Sequence, residues 1–434
     1  MTPFAAGFTG IAILFLLLIL RTPVAFAMLI VGFGGYWVLE GLRSAGGVLL
    51  TESFSAVSSY NLIIVPMFVL LGNISAVAGF SRGLYDAAFA WVGRFRGGLA
   101  SASILGCAVF AAVSGSSVAT AVTLGKVALP EMKRLGYAPG LSTGAIAAGG
   151  TLGFLIPPST GFVIYAILTE ESIGRLFMAG VLPGLLLTGL FMAAIWVVCL
   201  INPAAGPRGA AVPLRDRFRV LADAGPLMAV IVLSIGGIYV GIFTPVEASG
   251  IGAALVMLLA LVKRRLTVAN FNEAILATLS TSAMLYAIVI GANVLNPFFA
   301  ITRIPSTLGE GLGAMGLGAY GTLAVIILAY LVLGMFMDGL SMLVITIPIV
   351  FPVIVSLGFD PIWFGVVAVI VIEMGMITPP VGLNVFVVRA VAGDVPLTTI
   401  FAGVLPFLIA MIVGLLLIIA FPGIALLLPD TMFG

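Results

Sequence analysis

Apolar runs of about 17–25 residues, long enough for an α-helix to cross a ~30 Å hydrocarbon core, recur along the whole chain. Residues 4–20, 24–39, 177–201, 226–243, 246–262 and 402–421 are examples. A membrane β-barrel would instead show segments of about ten residues with alternating polarity, and none are evident. The pattern predicts an all-α polytopic membrane protein surrounded by lipid from end to end.

The pattern also repeats. Thr22-Pro23-Val24 recurs as Thr244-Pro245-Val246, Pro130 as Pro352, and Gly153-x-x-x-Pro157-Pro158 as Gly375-x-x-x-Pro379-Pro380, each 222 residues on. Ala179-Gly-Val-Leu-Pro183 returns as Ala402-Gly-Val-Leu-Pro406, at 223. Matches in order at near-constant spacing predict a duplication: a first repeat over 1–201, a linker over 202–225 and a second repeat over 226–434.

Each predicted repeat holds two breaks inside its apolar segments. The run 98–130 has Ser114-Gly115-Ser116-Ser117 at its centre. Its arms of about 13–16 residues give helices about 20–24 Å long, short for a full span. A re-entrant helical hairpin is predicted there and over 322–353, where Gly334-Met-Phe-Met-Asp338-Gly339-Leu-Ser341 stands at the centre. Residues 144–169 and 364–390 are long enough to span. The first carries Gly153 and Pro157-Pro158-Ser159 in its middle, the second Gly375, Thr378 and Pro379-Pro380.

Paired prolines remove two N–H donors and push the preceding residue out of the α region. The carbonyls so freed are tolerated in a membrane only where they line a cavity or are otherwise satisfied. They suit a hard cation such as Na⁺, whereas half-helix N-termini suit an anionic substrate. Ser116, Ser117, Ser159 and Thr160 stand where N-caps of restarting half-helices fall. A lone Gly or Pro in such a helix is most often a kink or packing device. Four breaks at matching positions of two halves favour a binding site.

Charge orients the halves. The linker holds Arg208, Arg215, Arg217 and Arg219 and is cytoplasmic by the positive-inside rule. Lys263, Arg264 and Arg265 follow two predicted helices later, on the same side. Arg21 ends the first helix, whereas its counterpart Phe243 is uncharged. A first repeat that starts outside and a second that starts inside put Arg21 and the basic cluster together in the cytoplasm. That predicts a periplasmic N-terminus and inverted repeats, an arrangement that recurs in secondary transporters.

Composition removes other classes. Sixty-two per cent of the residues are apolar and eight per cent charged, too few polar groups to clothe a soluble fold of 434 residues. Histidine is absent, which excludes zinc-protease motifs, Ser-His-Asp triads and haem ligation by histidine. Cys107 and Cys199 lie in apolar stretches and read as free thiols. A net charge of +2 gives no reason to expect nucleic-acid binding, and no Walker A sequence is present. No enzyme activity is expected. The N-terminus lacks a basic n-region and a clear cleavage site, so the first helix reads as retained.

At its motifs the chain resembles the large membrane subunit of tripartite ATP-independent periplasmic (TRAP) transporters, the DctM-like family. The resembling residues are Ser114-Gly-Ser-Ser-Val-Ala-Thr120, Gly149-Gly-Thr-Leu-Gly-Phe-Leu-Ile-Pro-Pro-Ser159, Gly334-Met-Phe-Met-Asp338 and Glu373-Met-Gly-Met-Ile-Thr-Pro-Pro-Val-Gly-Leu-Asn384. The resemblance implies an elevator-type importer in the bacterial inner membrane, driven by two or more Na⁺. Its substrate class is a carboxylate-bearing solute: a C4-dicarboxylate, sialic acid, or another sugar or keto acid. Implied partners are a small four-helix DctQ-like membrane subunit and a periplasmic DctP-like binding protein, with this chain in the unfused form. A stand-alone Na⁺/carboxylate symporter of related architecture is the alternative.

By the same resemblance a first sodium site falls on Ser114, Ser117, Gly153, Ile156 and Pro158, largely through main-chain oxygens. A symmetry-related second site falls on Gly334, Gly375, Thr378 and Val381. Candidate substrate contacts are Ser116, Ser159, Thr160, Asp338, Asn384 and Arg389. Asp338 has two open roles, countercharge to Na⁺ or cap of its own hairpin arm. Glu373 and Arg389 flank the second break and are expected to form an ion pair or anchor at an interface; Arg389 is alternatively a carboxylate contact. Asn61, Asn73 and Asn384 are expected first as interhelical hydrogen-bonding groups.

Overall fold

A computed structural model describes residues 2–209, 212–314 and 316–432, and among them every regular element is helical. The first half holds α1 (Pro3–Ile19), α2 (Val24–Glu40), α3 (Leu42–Ser58), α4 (Ile64–Val77), α5 (Phe80–Val92), α6 (Gly98–Ser114), α7 (Ser117–Arg134), α8 (Pro139–Leu155), α9 (Thr160–Thr169) and α10 (Ile173–Ile201). The second holds α11 (Leu214–Tyr239), α12 (Pro245–Val262), α13 (Val268–Thr302), α14 (Ile304–Ala314), α15 (Gly318–Gly334), α16 (Gly339–Ser356), α17 (Pro361–Gly375), α18 (Leu383–Ala392) and α19 (Leu397–Ala420), followed by α20 (Gly423–Thr431). Among the described residues, eight stretches are long and apolar enough to cross a membrane. A shift of 222 carries the bounds of α7 onto those of α16, and most other pairs agree within a few residues.

The helices form two packing groups. α2, α3, α4, α12 and α13 pack on one another, whereas α6 to α10 pack with α15 to α19. Close approach in the second group rests on small residues: a Cβ on Gly144 of α8 would lie 2.2 Å from Gly403 O of α19, so only glycine allows this crossing. Residues 141–155 of α8 and 362–375 of α17 are buried on every face, as their unbroken apolar composition requires. Around them, large side chains such as Phe8, Ile19, Phe54, Val262 and Ile201 face outward, where lipid would cover them.

Hydrogen bonds fix the direction of the pieces. Gly97 N donates to Gly206 O, and Ala138 N to Ala205 O, so both feet of the α6–α7 hairpin stand on the linker. Residues 98–134 therefore enter and leave from one end. The other hairpin enters from the opposite end: the Tyr320 ring, at the foot of α15, meets Phe359 just beyond α16. There too Tyr165, near the close of α9, donates from its hydroxyl to Pro361 O at the start of α17. Lys263 Nζ donates to Asp223 O and Arg265 covers the Phe80 ring, which places the basic cluster at the linker end as predicted. α1 begins beside Thr302, where α13 finishes, whereas α11 begins at the linker.

The linker is shorter than the polar stretch predicted. α11 starts at Leu214, directly after Pro213, and runs through Arg215, Asp216, Arg217 and Arg219 before the apolar segment begins. Arg is a good helix former, and its charge is at home in the headgroup layer, so this charged turn extends the helix out of the hydrocarbon.

Candidate functional site

The first hairpin turns within two residues. Gly115 takes φ 61°, a conformation that L side chains rarely adopt, and Ser116 is extended at φ −139°, ψ 129°. Ser116 caps α7 by accepting from Ala119 N at 3.4 Å. Ser114 Oγ and Thr120 Oγ1 share a hydrogen bond of 2.7 Å across the turn. The tip is pressed into the break between α8 and α9. A Cβ on Gly115 would lie 2.6 Å from Pro158 O, and one on Gly153 would lie 2.5 Å from Ser116 O. Gly115 O accepts from Thr160 Oγ1 at 2.8 Å.

At that break Ile156 is extended, and the following Pro157-Pro158 bond is cis. Ser159 restarts the helix, accepting from Phe162 N at 3.3 Å and donating to Phe154 O. Of the four predicted caps, Ser116 and Ser159 act as such. Ser117 and Thr160 are instead the first helical residues, and their hydroxyls reach other segments.

The second half repeats the meeting. A Cβ on Gly375 would lie 2.6 Å from the Gly334 Cα, so hairpin and break touch backbone to backbone. Gly382 N, past the Pro379-Pro380 cis bond, donates to Met335 O at 3.3 Å. Thr378 Oγ1 donates to Met374 O at 2.6 Å, which leaves its lone pairs for another partner. Asp338 caps α16, accepting from Ser341 N at 3.0 Å and from the Ser341 hydroxyl. Val381 is half-buried.

The halves then join each other. Gly339 lies against Phe154, Ile372 and Met376, which brings the second tip onto the end of α8. Ser117 Oγ donates to Glu373 Oε1 at 2.5 Å, across 256 residues of sequence. Both tips and both breaks thus meet in one region. The oxygens gathered there are hydroxyls, carbonyls and carboxylates, a donor set for a hard cation.

Glu373 corrects an expectation. It is 1% exposed and bonded to Ser117, while Arg389 is exposed in the last turn of α18. The break lets α18 restart with that turn on the surface, where a basic residue also suits the helix C-terminus. Asn384 is fully buried, yet neither side-chain amide atom finds a partner among the described residues. Asn73 makes its interhelical bond, to Thr278 Oγ1 at 3.0 Å, whereas Asn61 is exposed.

None of the predicted substrate contacts lines either of two clefts in the structure. Ser116, Ser159 and Thr160 stand together at the first tip, Asp338 at the second, and Arg389 apart. The two clefts lie elsewhere. One of about 620 Å³ is lined by Glu52, Ser59, Glu170, Asn293 and Asn296 at the end opposite the linker. Another, of about 550 Å³, is lined by Lys133, Tyr137, Ser142, Thr143 and Asp394 near the linker end.

The family model for the DctM component of tripartite ATP-independent periplasmic transporters matches residues 11–424. The chain belongs to that family. Among DctM-type relatives, the C4-dicarboxylate TRAP transporter large permease DctM of Pseudomonas aeruginosa is 37% identical, over 88% of this chain and 89% of its own. The sialic acid TRAP large permease SiaM of Vibrio cholerae is 32% identical over 96% and 97%. The ectoine TRAP large permease TeaC of Halomonas elongata is 31% identical, again over 96% and 97%. In fold, the chain is similar to the crystal structure of the Alcanivorax borkumensis YdaH transporter, with a TM-score of 0.59 at 17% identity, over 90% of this chain and 88% of that one. Family membership and the apolar helices make the chain a multi-pass membrane protein with a permease architecture.

Proposed function

We propose that this DctM-type permease imports a carboxylate-bearing solute across the bacterial inner membrane, coupled to Na⁺. The observation that carries the reading is the meeting of both tips and both breaks in one region where hydroxyl, carbonyl and carboxylate oxygens gather, with no ion-paired basic side chain among them. One cation lies between Ser114, Ser117, Gly153, Ile156 and Pro158, a second between Gly334, Gly375, Thr378 and Val381. Ile156 turns its side chain onto Gly184 of α10, so its main chain is the part free to serve.

The opposite directions of α1 and α11, and of the two hairpins, support inverted repeats. The basic residues at the linker end support a cytoplasmic linker and a periplasmic N-terminus. Transport proceeds by movement of the group built from α6 to α10 and α15 to α19 against the other group. A DctP-like protein delivers the solute and a DctQ-like subunit braces the permease. The relatives' names span C4-dicarboxylates, sialic acid and ectoine, and a carboxylate is the shared handle. Two Na⁺ falling through ~100 mV supply about 4.6 kcal/mol, less what a co-transported anion returns.

The test is uptake of a carboxylate panel by proteoliposomes, with and without a Na⁺ gradient and the periplasmic partner. Uptake that needs both is expected. Uptake indifferent to Na⁺ would falsify the coupling, and full uptake without the partner would establish a stand-alone symporter.

A further inference from the structure

The first sodium site expected from sequence offers hydroxyl and main-chain oxygens but no charge, and a cation at membrane depth needs a countercharge. Glu373 lies beside it. Its Oε1 accepts from Ser117 Oγ at 2.5 Å, and its Oε2 is buried without a hydrogen-bond partner among the described residues. One neutral donor leaves a buried carboxylate under-compensated. No basic side chain makes up the difference: among the described residues the ion pairs are Arg134–Glu131 and Arg175–Asp430. Of the helices packed on α17, α8, α16 and α19 hold no charged residue at all. A serine that gives its proton to a carboxylate turns its lone pairs elsewhere, the orientation a cation ligand needs.

The structure assigns Glu373 as the countercharge, and the residue that positions Ser117, for a monovalent cation in the first half. This inference rests on the sodium reading above. It also ties the sites together, because Glu373 stands two residues before Gly375 of the second site.

The experiment is a Na⁺ titration of thermal unfolding of the full chain purified in detergent, with K⁺ holding ionic strength constant. The wild type is expected to show saturable stabilisation by Na⁺. Glu373→Gln should raise the half-saturating Na⁺ concentration by at least about tenfold, and Glu373→Asp by less. Adding Ser117→Ala to Glu373→Gln should shift it further, because the serine oxygen is itself lost, but by less than the two single shifts combined, since Glu373 acts in part through that hydroxyl. Superimposed curves for wild type and Glu373→Gln overturn the inference. If the Gln variant does not fold, Glu373→Asp decides: it keeps the charge but draws it away from Ser117, and an unshifted curve overturns the inference equally. A wild type indifferent to Na⁺ is a different result, which defeats the sodium reading itself.

Discussion

The same device sits in two different surroundings. In the first half, Pro157, Pro158, Ser159 and Thr160 are all buried; in the second, Thr378 is buried but Pro379 and Pro380 are exposed. Each break is contacted by its own hairpin, through Gly153 and Ser116 in one half and Gly375 and Gly334 in the other. What differs is the far wall, which protein closes in the first half and leaves open in the second. Identical backbone chemistry should therefore bind a cation tightly on one side and exchange it on the other. Inverted repeats that alternate access need such an asymmetry, since a symmetric protein would open both sides at once.

The comparison breaks most sharply at the glycines. Gly153→Ala drives a Cβ to within 2.5 Å of Ser116 O, beside a proline pair that is buried. Overpacking of that kind costs about 1–3 kcal/mol, and uptake should fall below roughly a tenth of wild type. Gly375→Ala meets the Gly334 Cα at 2.6 Å, but the exposed Phe336 at the hairpin turn gives that tip a side toward which to yield. A smaller loss is expected there, measured by uptake at matched expression; equal losses would mean that the openness of the second break has no mechanical consequence.

Hydroxyl deletions come next in size. Ser117→Ala removes a buried oxygen, and the Na⁺ concentration for half-maximal uptake should rise roughly tenfold, the equivalent of about 1.4 kcal/mol. Thr378→Ala removes one beside the open break, where water replaces the lost ligand, and should shift it about threefold. An unchanged Na⁺ activation curve for Thr378→Ala would count against a side-chain role there. The smallest effect belongs to Arg389→Ala. Its side chain is exposed, so stability should stay within about 0.5 kcal/mol and uptake close to wild type; a collapse of uptake would restore it as a carboxylate contact.

Most of this frame was legible in the sequence because its causes are local. Proline pairs and glycines act on their own backbone, so the breaks and hairpins fell where the residues put them. Length and apolarity picked out 177–201, 226–243, 246–262 and 402–421, which fall on helices long enough to span, whereas 4–20 and 24–39 fall on shorter helices. The start of α11 was hidden because an arginine-rich turn looks like a loop to hydropathy while remaining a good helix. Glu373 was misjudged for a different cause: its partner, Ser117, is 256 residues away, and only the packing of one half on the other brings them together. Arg389 looked like the natural partner because it is close in sequence, yet the break between them redirects α18.

The most direct measurement is labelling of single cysteines by a water-soluble maleimide in membranes, at the equivalent positions Ser159→Cys and Val381→Cys. Cys107 and Cys199 are buried free thiols, so the background should be low. Val381→Cys should react readily in K⁺ and more slowly in Na⁺, while Ser159→Cys, 1% exposed in the parent, should react slowly in both. Equal rates at the two positions, with no effect of Na⁺ at either, would contradict the account.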